Sequence, residues 1–135
     1  VYNEEKTIIA TLKRLEETKD ERIEYEIIVI NDGSKDNTLN LLKSNADLYH
    51  NLIDVKQNHG KGHAVKKGLE TSTGDYVIFQ DGDLEYDPVD FSKFIDILQK
   101  FKVDAIIGSR FNYNKYIRSL NILNKFGNYI LTLFF

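Results

Sequence analysis

The stretch Val77-Ile78-Phe79-Gln80-Asp81-Gly82-Asp83-Leu84-Glu85-Tyr86-Asp87-Pro88 joins a short apolar run to a dense set of carboxylates, a glycine and the sole proline of the chain. The apolar run has the pattern of a buried strand, and the residues after it carry turn chemistry. Asp81 and Asp83 stand two apart, so on a continuing strand they share a face. A turn at Gly82 would fan them around one ion. Carboxylate oxygens are hard ligands suited to Mg²⁺ or Mn²⁺, ions that keep coordination positions open for phosphates. The expectation is a metal–diphosphate site. A second reading, a solvated turn in which Asp87 or Asp90 caps the next helix, suits those two residues better than Asp81 and Asp83. An EF-hand calcium loop is excluded, because its sixth and twelfth positions, glycine and glutamate, are here Tyr86 and Ser92.

Two further clusters carry polar side chains and glycines. Asn31-Asp32-Gly33-Ser34-Lys35-Asp36-Asn37-Thr38 follows the β-branched run Ile27–Ile30. Asp32, the second residue after that run, has a claim to a ligand, whereas Asp36 reads as a helix cap. Gly60-Lys61-Gly62 precedes a helix but fits neither phosphate-binding pattern. The dinucleotide pattern needs Gly or Ala where Val65 stands, and neither glycine is followed five residues later by Gly-Lys. The loop is either a plain turn or a close backbone approach to a ligand, with Lys61 offering positive charge. His50, His59 and His63 share no face or metal spacing and read as surface or loop residues. Arg110 ends a strand-like run and reads either as an ordinary surface arginine or as part of a ligand-facing rim.

These clusters need a scaffold that brings them together. Helical spacing places Ile8, Ile9, Leu12 and Leu15 on one face of a helix over 4–18, with Asn3 as its cap. Strands are expected over 25–30, 51–56, 75–80 and 103–107. Helices are expected around Leu39–Leu42, from Ala64 to about Thr73, from Pro88 through Leu98, and over 118–135. Such alternation implies a mostly parallel sheet with helices on both faces, in which ligands bind beyond the carboxyl ends of the strands. The clusters at 31–38, 81–87 and 108–110 all follow strands and should converge on one rim.

The chain has 135 residues, 41% hydrophobic and 29% charged, enough for one domain with a core. A net charge of −3 lacks the basic footprint of a general nucleic-acid binder. Without cysteine there is neither a disulfide frame nor a thiolate metal site. No apolar run reaches the ~18 residues that would cross a bilayer. The abrupt starts and stops of the pattern at Val1 and Phe135 lead to the expectation of a single truncated domain over 1–135.

Taken in order, Tyr2-Asn3-Glu4-Glu5, Val29 to Thr38, Asn58 with Gly60-Lys61-Gly62, Gly74-Asp75-Tyr76, Asp81 to Pro88, and Gly108-Ser109-Arg110-Phe111 resemble the inverting family 2 glycosyltransferases of the GT-A fold. The resemblance is strongest to the branch containing dolichyl-phosphate mannose synthases and polyprenyl-phosphate glucose synthases. It implies a Rossmann-like α/β sheet whose first strand and C-terminal part lie outside this chain. It further implies that Tyr2, Asn3, Glu4, Asp32, Gly60, Lys61 and Asp81 bind the nucleotide, with Asp32 on the base. Asp81 and Asp83 would form the Asp-x-Asp pair that holds Mg²⁺ or Mn²⁺. Arg110 and Arg118 would grip the acceptor phosphate, with Asp81, Asp83 and Arg110 carrying the catalysis.

The implied reaction moves a sugar from a UDP- or GDP-sugar to a polyprenyl phosphate at the cytoplasmic face of a membrane. The apolar run at 126–135 reads as an interfacial helix or as core. Two alternatives remain: a family 2 transferase extending a polysaccharide or glycan, and a non-catalytic nucleotide-binding module. A sugar-1-phosphate nucleotidyltransferase would need a glycine-rich signature that the chain does not show.

Overall fold

In the computed structural model, residues 1–108 are described. The chain divides into two compact units, Val1–Lys102 and Val103–Phe135. The expected helix over 118–135 and the residues Arg110 and Arg118 lie outside the described residues. The first unit runs α1 (Ile8–Glu17), β1 (Ile28–Asp32), α2 (Thr38–Ser44), a 3₁₀ turn (Ala46–Leu48), β2 (Asn51–Val55), α3 (Lys61–Thr71), a second 3₁₀ turn (Pro88–Asp90) and α4 (Phe91–Lys100).

β1 and β2 pair in parallel, from Ile28 opposite Asn51 to Asp32 opposite Val55. A parallel pair needs a crossover, and α2 with its 3₁₀ turn supplies it. Alternation along β1 then decides what each face meets. Val29 joins Ile8, Leu12, Leu15, Leu42 and Phe91 in the core cluster. Ile30 points the other way, toward α3, where a Cβ on Gly68 would lie 3.8 Å from the Ile30 side chain. β1 is thus covered on both faces, as its β-branched sequence requires. The α/β architecture and the parallel sheet agree with the sequence.

Three local expectations are corrected. α1 starts at Ile8 rather than near residue 4, and Asn3 is not its cap. Asn3 adopts a left-handed conformation (φ 55°), and its side-chain oxygen accepts the Lys35 N–H at 2.8 Å. The Glu4 carbonyl accepts the N–H groups of Thr7 and Ile8 and opens the helix instead. β1 extends to Asp32 because its ladder with β2 includes Asn31 and Asp32.

The expected strands over 75–80 and 103–107 are irregular. A strand exists only when backbone pairs with it, and apolar propensity cannot supply the partner. The free edge of β1 is met by Val1, whose nitrogen donates to the Ile30 carbonyl (2.6 Å) and whose carbonyl accepts the Asp32 N–H (2.9 Å). Val77, Ile78 and Phe79 make no ladder among the described residues and are 43–56% exposed. Pro88 does open a helical segment, packed and buried at the start of its 3₁₀ turn.

Candidate active site

The site is assembled from loops at the carboxyl ends of the two strands and from the acidic turn. Two of these loops are knitted into one structure. The Asn3 N–H donates to Ser34 Oγ (3.0 Å), the Glu4 N–H to Thr38 Oγ1 (2.8 Å) and the Glu5 N–H to Asp36 Oδ2 (3.1 Å). Glu5 Oε2 in turn accepts the Asn37 N–H at 2.9 Å. Thr38, fully buried, donates both its N–H and its hydroxyl to Asp36 Oδ1. Asp36 therefore does more than cap a helix: it fastens the 1–5 loop to the loop after β1.

Burial works hardest against ionisation of Asp36. The hydrogen bonds from the Thr38 side chain, Thr38 N–H and Glu5 N–H together outweigh it and hold its carboxyl below the usual range. Because the folded value is lowered, this stabilisation is present above about pH 4 and is lost as pH falls through the lowered value. Asp36→Ala is expected to cost about 1 kcal/mol at neutral pH, the scale of a lost cap. The urea midpoints of the two proteins should draw together as the pH falls below about 4.

Asp32 sits at the last position of β1, 3% exposed. Its Oδ2 accepts the Gly60 N–H at 2.8 Å and the His59 N–H at 3.2 Å, and Oδ1 shares the latter at 3.2 Å. The 57–60 loop can reach Asp32 because Gly33 has no side chain: a Cβ there would stand 2.6 Å from the Asn58 nitrogen. Gly33 and Gly60 both have positive φ, 70° and 87°. Beside Asp32, the fully buried Asn31 donates to Asp54 Oδ1 (2.8 Å). Lys56, then Asn31, hold the Asp54 carboxyl below its usual range.

Lys61, the first residue of α3, extends its ammonium to Asp81, 2.8 Å from the carboxylate oxygens. The pair is 70% and 35% exposed at its side chains, so its contribution to folding is small. Its consequence is positional: it brings the 60–62 loop and the acidic turn together. The turn is also fixed from beneath. Thr11 on α1 donates to the Gly82 carbonyl (3.0 Å), and a Cβ on Gly82 would lie 3.0 Å from Val1 and 3.4 Å from Glu4. Gly82→Ala is therefore expected to press the turn against the Val1 and Glu4 side chains, which must give by a few tenths of an ångström. It should lower stability by about 1–2 kcal/mol, read from the urea midpoint at constant m-value.

Asp83 is exposed, and its Oδ1 accepts the Glu85 N–H at 3.0 Å across Leu84, which has a positive φ of 64°. Asp87 accepts the Val89 N–H at the head of the 3₁₀ turn, so its capping reading holds, and it pairs with Arg14. Asp90 precedes α4 but makes no side-chain cap. Glu4 accepts the Thr7 hydroxyl at 2.6 Å. His50 is structural, its Nδ1 accepting the Ile27 N–H.

The structure thus brings Asn3, Glu4, Asp32, Gly60, Lys61 and Asp81 into one linked set of loops, with Asp83 on the same acidic turn. Tyr2 is 40% exposed in the first loop. The residue that sequence reading passed over is His63, whose Nδ1 lies 3.9 Å from Asp32 Oδ1. Only its position in the first turn of the helix after Gly60-Lys61-Gly62 could have pointed to it.

A divalent cation can be tested against these donors. Among the described residues no group of three or more His, Cys, Asp or Glu side chains could hold a metal ion. Asp81 and Asp83 supply hard oxygens from one turn, and a substrate's phosphates and water would have to supply the rest. That incomplete donor set suits Mg²⁺ or Mn²⁺, which bind through one or two carboxylates plus phosphate oxygens. Lys61 marks Asp81 as an oxygen pair already turned toward a cation.

A parallel α/β unit with carboxylates, a lysine and a glycine loop beyond its strand ends belongs to the class that binds ligands at the carboxyl rim of the sheet. The comparison with known proteins narrows this class. The glycosyl transferase family 2 model matches residues 1–132, and the chain belongs to that family. It is 39% identical to the dolichyl-phosphate beta-glucosyltransferase of Dictyostelium discoideum over 68% of this chain and 30% of that protein. It is 37% identical to the poly-beta-1,6-N-acetyl-D-glucosamine synthase of Staphylococcus aureus over 80% of this chain and 25% of that protein. The solved structure of S. aureus TarS superposes with a TM-score of 0.63 at 24% identity, covering 74% of this chain and 30% of that one, and so shares its fold. The chain spans less than half the length of the curated relatives it matches.

Proposed function

We propose that the protein is an inverting glycosyltransferase that moves a sugar from a UDP- or GDP-sugar to a polyprenyl phosphate, with a divalent cation on Asp81 and Asp83. The observation that carries this reading is the linkage of Asp32, through the 59–61 loop, to the Lys61–Asp81 pair. It sets a buried acceptor for a base and a charge-balanced place for a diphosphate on one rim. Asp32 accepts a base N–H, while the Asn3–Glu4 loop borders the nucleotide and Lys61 turns from Asp81 to the phosphates. The bound cation would neutralise charge on the departing nucleoside diphosphate.

The acceptor phosphate is anionic at neutral pH and attacks the sugar C1 from the face opposite the leaving group. A C1–O bond to the acceptor forms as the C1–O bond to the diphosphate breaks, and no proton has to be removed. The chain's work is then mostly to hold two anions in line. Arg110, with Arg118, is assigned to the acceptor phosphate.

The lipid acceptor is favoured by the 39% identity to a dolichyl-phosphate beta-glucosyltransferase, together with the Asp83-Leu84-Glu85-Tyr86-Asp87-Pro88 continuation. It implies work at the cytoplasmic face of a membrane. Among the described residues no helix is long and apolar enough to cross one. The identity to a polysaccharide synthase favours a second reading, addition of sugar to a growing glycan. Turnover by the full-length protein with polyprenyl phosphate and with soluble oligosaccharides separates the two. Sugar transfer to the lipid, abolished by Arg110→Ala while nucleotide binding persists, is the expected result. Transfer to the oligosaccharide alone would establish the second reading.

A further inference from the structure

We propose that His63 is a specificity-determining residue of the donor site, which with Asp32 reads the imide edge of a uracil; this rests on the donor-site reading above. Three features of Asp32 restrict what it can bind. Its side chain is only 5% exposed, its Oδ2 already accepts two backbone N–H groups, and its Oδ1 takes only a 3.2 Å share of one of them. The remaining capacity is therefore concentrated on Oδ1. A guanine edge offers a carboxylate two parallel N–H groups and is best served by two free oxygens. A uracil offers a single N–H, which one oxygen satisfies.

That N–H is flanked by carbonyls, and each carbonyl that leaves water needs a donor of its own. His63 Nδ1 is 3.9 Å from the same Oδ1, beyond hydrogen-bonding distance. It is a buried ring nitrogen without a hydrogen-bond partner among the described residues. The ring is 32% exposed at its side chain and rests at 4.8 Å on the His59 ring. A ligand approaching Oδ1 comes within reach of this imidazole as well. With the proton on Nδ1, a short rotation of His63 gives the flanking carbonyl its donor and ends the isolation of that nitrogen. Carboxylate and imidazole together then present acceptor beside donor, the complement of an imide.

Calorimetry on the full-length protein with UDP, GDP and N3-methyl-UDP, in the presence of Mn²⁺, tests this. The wild type should prefer UDP to GDP and reject N3-methyl-UDP. His63→Ala should weaken UDP about tenfold, the cost of one unpaired polar group, and leave GDP nearly unchanged. His63→Gln, which restores an N–H donor, should recover most of the loss. Unaltered UDP binding in His63→Ala, an equal loss for UDP and GDP, or a wild-type preference for GDP would each overturn the assignment of His63. The donor-site reading is judged separately: a wild type that binds neither nucleotide, or an Asp32→Asn variant that binds both as tightly as wild type, overturns that reading and this inference with it.

Discussion

Replacing Asp81 by asparagine is expected to lower kcat/KM of the full-length protein in sugar transfer by about a hundred- to a thousandfold while the protein stays folded. The two effects separate because of where Asp81 sits. Its carboxylate is partly exposed and its only described ion pair is with Lys61, itself 70% exposed, so removing one charge costs little stability. Asparagine keeps the side-chain shape, and the features that fix the turn, the Thr11 bond to the Gly82 carbonyl and the packing of Gly82 on Val1 and Glu4, involve neither oxygen of Asp81.

On the proposed mechanism, the same substitution removes half of the protein's cation ligands and the anchor that aims Lys61. A pre-placed charge acting on a developing diphosphate is worth about 3–4 kcal/mol of barrier, which at roughly 1.4 kcal/mol per tenfold gives a loss of about a hundred- to a thousandfold. Steady-state kinetics over a Mn²⁺ series is the measurement. The requirement for metal should rise along with the loss of kcat. Asp81→Asn and Lys61→Ala should be far from additive, since each disables the same contact. A variant within threefold of wild type would show that the acidic turn is not where the diphosphate is held.

The acidic turn was legible in the sequence because both of its signals are local: charge density and the end of an apolar run. The helices α2, α3 and α4 and the strands β1 and β2 were legible for a similar reason, since each is a local run of apolar and turn residues, although the pairing of β1 with β2 was not. The contacts that assemble the site are of another kind. Asn3 to Lys35, Glu5 to Asp36 and Asn37, and Asp32 to His59 and Gly60 are side-chain-to-backbone bonds between residues about thirty positions apart. Nothing periodic records them. Asn3 illustrates the resulting error: its residue type suits a helix cap, yet its side-chain oxygen serves a different loop.

The segment 77–80 fails in the opposite direction. Its apolar pattern is that of a buried strand, but pairing is a property of the neighbour, and along that edge of β1 only Val1 is at hand among the described residues. His63 was passed over because what singles it out is a 3.9 Å approach to Asp32, which sequence spacing between histidines cannot show.

Gly33 is where fold and site meet, and Gly33→Ala is expected to damage both. At φ 70° an L-residue with a side chain carries a backbone penalty of about 1–2 kcal/mol. The added Cβ would also stand 2.6 Å from the Asn58 nitrogen and 2.7 Å from the Gln57 carbonyl carbon. Both are backbone atoms, so no side-chain rotation relieves the overlap, and the 57–60 loop must move. That loop carries the His59 and Gly60 N–H groups that occupy Asp32. Moving it leaves a nearly buried carboxylate short of donors, a further cost of about 1–3 kcal/mol.

These penalties overlap, because one shift of the loop causes the second while relieving part of the strain, so the total expected is about 3 kcal/mol. It should appear as a fall in the urea midpoint at unchanged m-value. Nucleotide affinity should fall with it even where the variant remains fully folded, because Lys61 follows the displaced loop away from Asp81. A second substitution, Gly33→Asn, separates the two causes, since asparagine tolerates positive φ but still carries a Cβ. If strain alone matters, Gly33→Asn recovers most of the stability. If the approach of the loop matters, as the 2.6 Å distance requires, Gly33→Asn remains as impaired in nucleotide binding as Gly33→Ala.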